Sequence, residues 1–96
     1  MMYHRYVVEF VGVFLLACVI FMQGDAIPIG IAVAAIVLMG STISGAHYNP
    51  AITLANAANG RMAMDDAFWY VIVQVAGALA ALHFVKSARQ AQGIVV

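Results

Sequence analysis

An all-α membrane protein, made of three transmembrane helices plus one re-entrant half-helix, is the fold class that this sequence predicts. Of its 96 residues 66% are hydrophobic and 8% are charged, which leaves a soluble domain of this length too few polar groups to cover its surface. The apolar residues fall into three long runs divided by short polar turns. Between the second and third runs, residues 44–53 read Ser-Gly-Ala-His-Tyr-Asn-Pro-Ala-Ile-Thr, a helix start with too little chain behind it to cross a bilayer. The expected localisation is therefore integral membrane and multi-pass, with the lipid bilayer as first partner. A formal net charge of zero gives no basis for a nucleic-acid partner or a polybasic surface peptide.

Residues 6–22 form the first span. His4 and Arg5 precede it as in a secretory signal, but Glu9 lies inside the run and a second apolar segment follows where a cleavage site and polar region belong, so the helix is read as retained. Gln23-Gly24-Asp25 is a polar turn. The second span covers residues 27–42, with Pro28 near its start, where a proline costs little. Ser41 to Gly45 is too polar and flexible to continue that span in lipid. Residues 43–49 are accordingly expected as re-entrant, irregular backbone, tolerated at membrane depth only where protein or water surrounds it. Asn49 is a good N-cap and Pro50 a good first helical residue. The helix they open, residues 50–59, stops at Gly60. At about 1.5 Å per residue it is roughly 15 Å long, half of a hydrocarbon core of about 30 Å. Such a half-helix aims a positive dipole end and hydrogen-bond donors at the bilayer midplane.

Residues 60–66 turn at the interface, and Asp65 and Asp66 suit the first turn of the third span, residues 67–85. Trp69 and Tyr70 read as interfacial aromatics at its start, and His83 as an interfacial residue near its end. Lys86, Arg89 and Gln90 mark the exit into a loose tail, residues 86–96. The whole chain, residues 1–96, reads as one domain. Gly30 and Ala34, like Gly77 and Ala81, are four apart and offer small faces for close helix packing.

Few polar groups lie within the spans. Glu9 is the most expensive of them and must face protein or water. It is either a proton-coupling or substrate contact or, the reading the sequence favours, an acceptor for exposed loop N–H groups. Gln74, near mid-helix, belongs with the same kind of structural network. Glu9-x-x-Gly12 and Gln74-x-x-Gly77 each put a polar group and a glycine on one helix face, as though both faces line one interior. His47 has no second His, Cys or carboxylate at ligand spacing, so it is expected to hydrogen-bond within the loop and not to hold a metal. Cys18 lies in an apolar run and has no internal partner. The sequence shows no phosphate loop, nucleophile–base pair or Cys/His cluster, and neither a cofactor nor an enzymatic activity is expected.

Ser44 to Thr53 resembles, nearly residue for residue, the first pore loop of the major intrinsic protein family, the aquaporins and glycerol facilitators. Glu9-Phe10-Val11-Gly12 is similar to the first-helix Glu-Phe-x-Gly element of that family, and Tyr70 through Gln74 to Gly77-Ala78 to its third helix. The spacing between these elements also fits, so the resemblance covers about residues 6–85 and the N-terminal half of a family channel. It implies a single aquaporin-like repeat and a passive channel for water or small neutral solutes. By the resemblance, the Asn49 side chain donates to the passing solute, Pro50 and Ala51 complete the motif, and the carbonyls of Gly45, Ala46, His47 and Tyr48 form a line of acceptors. Glu9 and Gln74 hold the loop. Ile29 takes the second-helix position of the selectivity filter by ungapped spacing, where it makes a less polar constriction than an aromatic.

The departure from the family pattern is the missing second repeat, with its own Asn-Pro-Ala and filter arginine; Ile52 stands where that repeat would carry the arginine. One repeat supplies one wall. Two antiparallel copies, or a second half-channel, would rebuild the pore around a true two-fold axis. With Arg5 and Arg61 at one end and Lys86 and Arg89 at the other, charge placement gives no orientation bias, as insertion both ways requires. Met1-Met2 and the polar tail suit a half-length product. The alternatives are a fragment of a longer channel, a non-conducting subunit that modulates a full-length channel, and a proton-coupled exporter, against which the Asn49-Pro50 half-helix argues.

Overall fold

The computed structural model describes residues 3–22 and 24–93. They form four helices: α1 (His4–Met22), α2 (Ala26–Ser44), α3 (Pro50–Ala58) and α4 (Met64–Ala91). All but α3 are long and apolar enough to cross a membrane. Met1, Met2, Gln23 of the first turn and residues 94–96 of the tail lie outside the described residues.

α1 is the centre of the molecule. It packs against α2 on one side and α4 on the other, and α3 rests on α4. α1 and α4 run parallel. Arg5 at the start of α1 pairs with Asp66 at the start of α4 at 2.7 Å, and Arg89 near the end of α4 reaches the last carbonyls of α1. Small residues bring these two helices together. A Cβ at Gly77 would lie 2.6 Å from the Phe10 carbonyl oxygen, so only glycine fits there. Ala17, Cys18, Ala81 and Val85 then close a buried cluster, flanked by Phe14 and Ala78. The second small face behaves otherwise: Gly30 and Ala34 are exposed, and a Cβ at Gly30 would meet nothing within 4 Å.

Three expectations are corrected. α2 does not break at Thr42 but continues through Ser44. The Ser44 hydroxyl is buried and donates to the Glu9 carboxylate at 2.7 Å, so its polarity is satisfied inside the helix. The stop comes at Gly45, whose φ of +87° is the left-handed cap conformation. Likewise α4 runs on to Ala91, because Arg89 donates to the carbonyls of Phe21 (3.1 Å) and Met22 (3.3 Å). Those carbonyls lack intrahelical donors, and capping them docks the extra turns of α4 onto α1. Finally, Trp69 is exposed but Tyr70 is not interfacial: it is 2% exposed. With Ala67 and Gln74 it occupies the inward face of α4, where its hydroxyl donates to the Ser44 carbonyl at 2.7 Å.

Candidate functional site

The segment between α2 and α3 reverses direction and climbs back along the molecule. Its Tyr48 hydroxyl donates to the Ile36 carbonyl at 2.7 Å, eight residues upstream of Ser44, or about 12 Å along the helix axis. The Tyr48 ring is nearly buried and fills the space left by two glycines. A Cβ on Gly12 of α1 or on Gly40 of α2 would collide with it. From Asn49, α3 leads away from this level as a nine-residue helix, about 14 Å long. Gly60, at φ +75°, ends it, with the Arg61 N–H returning to the Asn56 carbonyl at 3.0 Å.

Two non-glycine residues of this segment, Ala46 (φ 54°) and Tyr48 (φ 52°), are left-handed, a conformation that costs roughly 1–2 kcal/mol per residue. The Glu9 carboxylate offsets that cost. Fully buried, it accepts four hydrogen bonds: from the Ser44 hydroxyl (2.7 Å), the His47 N–H (3.1 Å), the Tyr48 N–H (2.8 Å) and Gln74 Nε2 (2.9 Å). Ser44 Oγ accepts the Ala46 N–H at 3.1 Å. The N–H groups of residues 46, 47 and 48 thus all point inward. The carbonyls of Gly45, Ala46, His47 and Tyr48 receive no protein donor among the described residues.

Asn49 caps α3 through its side-chain oxygen, which accepts the Ala51 N–H at 2.8 Å. Its Nδ2 has no acceptor among the described residues and the residue is exposed, so the amide remains a donor to the outside. Thr53, one turn into α3 and fully buried, ties the helix to α4. Its hydroxyl oxygen accepts from Gln74 Nε2 at 2.9 Å and lies 2.8 Å from His47 Nδ1. With His47 Nδ1 as the available acceptor for the Thr53 proton, we assign His47 as the Nε2–H tautomer. The Gln74 Oε1 atom is buried with no donor.

Of the residues singled out from sequence, Glu9, Gln74, Gly45, Ala46, His47, Tyr48, Asn49, Pro50 and Ala51 come together at this loop. Pro50 is half-buried and Ala51 exposed in the first turn of α3. Ile29 stands apart, half-buried in the first turn of α2 and about 10 Å along that helix from Ile36. Sequence reasoning placed neither Ser44, Thr53 nor Tyr70 in the network that holds this loop. The signal was present as helical spacing, since Tyr70 is four residues before Gln74 and Thr53 four after Asn49.

The model of a family described as "Major intrinsic protein" matches residues 18–95. Among curated proteins, the chain is 37% identical to "Glycerol uptake facilitator protein-like 6" of Lactiplantibacillus plantarum, over 94% of this chain and 46% of that protein. It is 43% identical to "Aquaporin A" of Dictyostelium discoideum, over 53% of this chain and 18% of that protein. It is also 43% identical to "Aquaglyceroporin AqpS" of Rhizobium meliloti, over 58% and 24% respectively. The chain thus spans less than half the length of these relatives. No solved structure matches it.

Proposed function

Because the chain belongs to the major intrinsic protein family, a family of multi-pass membrane proteins, we propose that it forms a passive channel for water or small neutral solutes, with a second, antiparallel copy completing the pore. The observation that carries this reading is the one-sided hydrogen bonding of residues 45–48. Among the described residues these four carbonyls have no protein donor and the Asn49 amide is free, in a chain whose residues are 66% hydrophobic. Unpaired backbone at membrane depth must be covered by protein or by water. A file of water does both tasks, donating to the carbonyls and accepting from Asn49. The positive end of α3 beside that donor opposes cations.

In this reading Asn49, Pro50 and Ala51 face their symmetry mates at the centre. Gly45, Ala46, His47 and Tyr48 offer their carbonyls along one half of the path, while Glu9 and Gln74 hold the loop without touching solute. Two Ile29 side chains replace the usual filter and no arginine is supplied, which favours small neutral solutes over strict water selectivity. Equal numbers of Lys and Arg at the two ends suit insertion in both orientations.

The test is osmotic water permeability of liposomes holding this chain alone, read by light scattering after an osmotic jump. Permeability well above empty liposomes, with a low activation energy, supports the proposal. Asn49→Asp keeps the helix cap but removes the amide donor and adds negative charge, so it lowers water flux and raises cation leak. Permeability equal to that of empty liposomes, from folded and inserted protein, sinks autonomous water conduction.

A further inference from the structure

At the end of the molecule remote from Arg5, the last turns of α4 pass the C-terminus of α1. Leu82, Val85, Lys86 and Arg89 recur at spacings of three and four along α4 and so form one stripe of the helix. The stripe is apolar over its first two residues and cationic over its last two. Phe21 of α1 closes the opposite side, and the five side chains line an open notch of about 250 Å³. Val85 is buried and Lys86 exposed. Arg89 is already held in place, since its Nη2 donates to the carbonyls of Phe21 and Met22. Its Nη1 and Nε have no protein acceptor among the described residues, so a fixed guanidinium retains free donors. The ion pair of the described residues, Arg5–Asp66, is at the other end; among the described residues neither Lys86 nor Arg89 has a carboxylate partner.

We infer that this notch binds an anionic phospholipid, its phosphate between Lys86 and Arg89 and the first part of an acyl chain against Phe21, Leu82 and Val85. The match is one of charge and depth. The cations continue the same helix stripe one turn beyond the apolar residues, as a headgroup continues beyond its acyl chain. A free anion would use the rim and leave the apolar floor wet. A zwitterionic lipid would bring its own cation toward Lys86. Because the protein has already immobilised Arg89, binding orders little further. The inference needs membrane insertion and nothing else, and is independent of the proposed pore.

The experiment is native mass spectrometry of the full chain in detergent, titrated with phosphatidylglycerol or phosphatidylcholine of identical acyl chains, and with inorganic phosphate as competitor. Phosphatidylglycerol is expected to bind at least tenfold more tightly than phosphatidylcholine and to resist millimolar phosphate. Lys86→Gln and Arg89→Gln each weaken it about fivefold, at the usual value of one cation near a membrane surface. Lys86→Gln leaves the Arg89 cap of α1 in place, so its effect is separable from misfolding. Arg61→Gln, at the opposite end, leaves binding unchanged. Equal binding of the two lipids overturns the inference, as does displacement by phosphate, which would mark a free-anion site. An equal loss in Arg61→Gln would mark diffuse charge and likewise overturn it.

Discussion

Replacing Glu9 tests whether one carboxylate holds the re-entrant loop. In Glu9→Ala the His47 and Tyr48 N–H groups lose their acceptor outright, while the Ser44 hydroxyl keeps only a long bond to the Gly40 carbonyl at 3.4 Å and Gln74 Nε2 keeps only Thr53. Each stranded buried donor costs about 1–3 kcal/mol, so the two N–H groups alone cost about 2 kcal/mol even at the low end. The left-handed residues Ala46 and Tyr48 then lose what offsets their strain and relax, and the outward row of carbonyls disperses. Glu9→Gln is milder for a specific reason. Its oxygen can keep Ser44 and His47, while its amide faces Gln74, whose buried Oε1 lacks a donor and can turn to accept, giving up the bond from Nε2 to Thr53. The Tyr48 N–H is then the main casualty, a loss of about 1.5–3 kcal/mol for a bond to a charged group. The assay is amide hydrogen exchange at His47 and Tyr48 in micelles, with unfolding in denaturing detergent alongside. The expected order is parent slowest, Glu9→Gln intermediate with Tyr48 affected more than His47, and Glu9→Ala fastest. Unchanged exchange in Glu9→Ala would refute the clamp, and equal effects of the two variants would refute the donor count.

Gly40→Ala drives a methyl into the Tyr48 hydroxyl and a Val8 methyl and should destabilise by about 1–3 kcal/mol. Gly30→Ala, in open space, should be neutral or slightly stabilising in the same thermal unfolding series. Thr53→Val removes the shared partner of His47 Nδ1 and Gln74 Nε2, at about 1–3 kcal/mol per stranded group; exchange should quicken throughout α3, and Thr53→Ser should restore it. Asp66→Asn breaks an ion pair whose side chains are about a third exposed, so stability should fall by at most about 1 kcal/mol, with the difference shrinking in high salt.

The architecture was legible because lipid imposes simple rules. Long apolar runs become spans, and Asn-Pro followed by a glycine ten residues later becomes a capped short helix. What stayed hidden was where polar side chains find partners. Ser44 looked like a helix breaker because its hydroxyl seemed stranded, yet a carboxylate thirty-five residues earlier in the chain receives it. Tyr70 looked interfacial because an aromatic at a helix start has two equally ordinary uses, and the distant Ser44 carbonyl decides between them. The docking of Arg89 on the end of α1 is also a long-range fact, and it turned an expected tail into helix. The grouping of Glu9 with Gln74 could be read from their paired glycines, whereas the central position of Thr53 depended on a turn of α3 that the motif itself did not emphasise.

The polar character of the outward face follows from its buried side. A trans peptide points the carbonyl of one residue and the N–H of the next in opposite directions within one plane. Turning the N–H groups of residues 46, 47 and 48 toward Ser44 and Glu9 therefore turns the carbonyls of 45, 46 and 47 away from them. The left-handed φ values at Ala46 and Tyr48 are what this pattern requires of the chain. Glu9 is thus the cause of a row of acceptors it never touches. In hydrocarbon each such carbonyl would cost several kcal/mol, more than the strain of the loop that exposes it. A lone copy with this row turned to lipid would bear that cost. Covering the row with water and a second polar wall would recover that energy, which is the physical argument behind the proposed assembly and conduction.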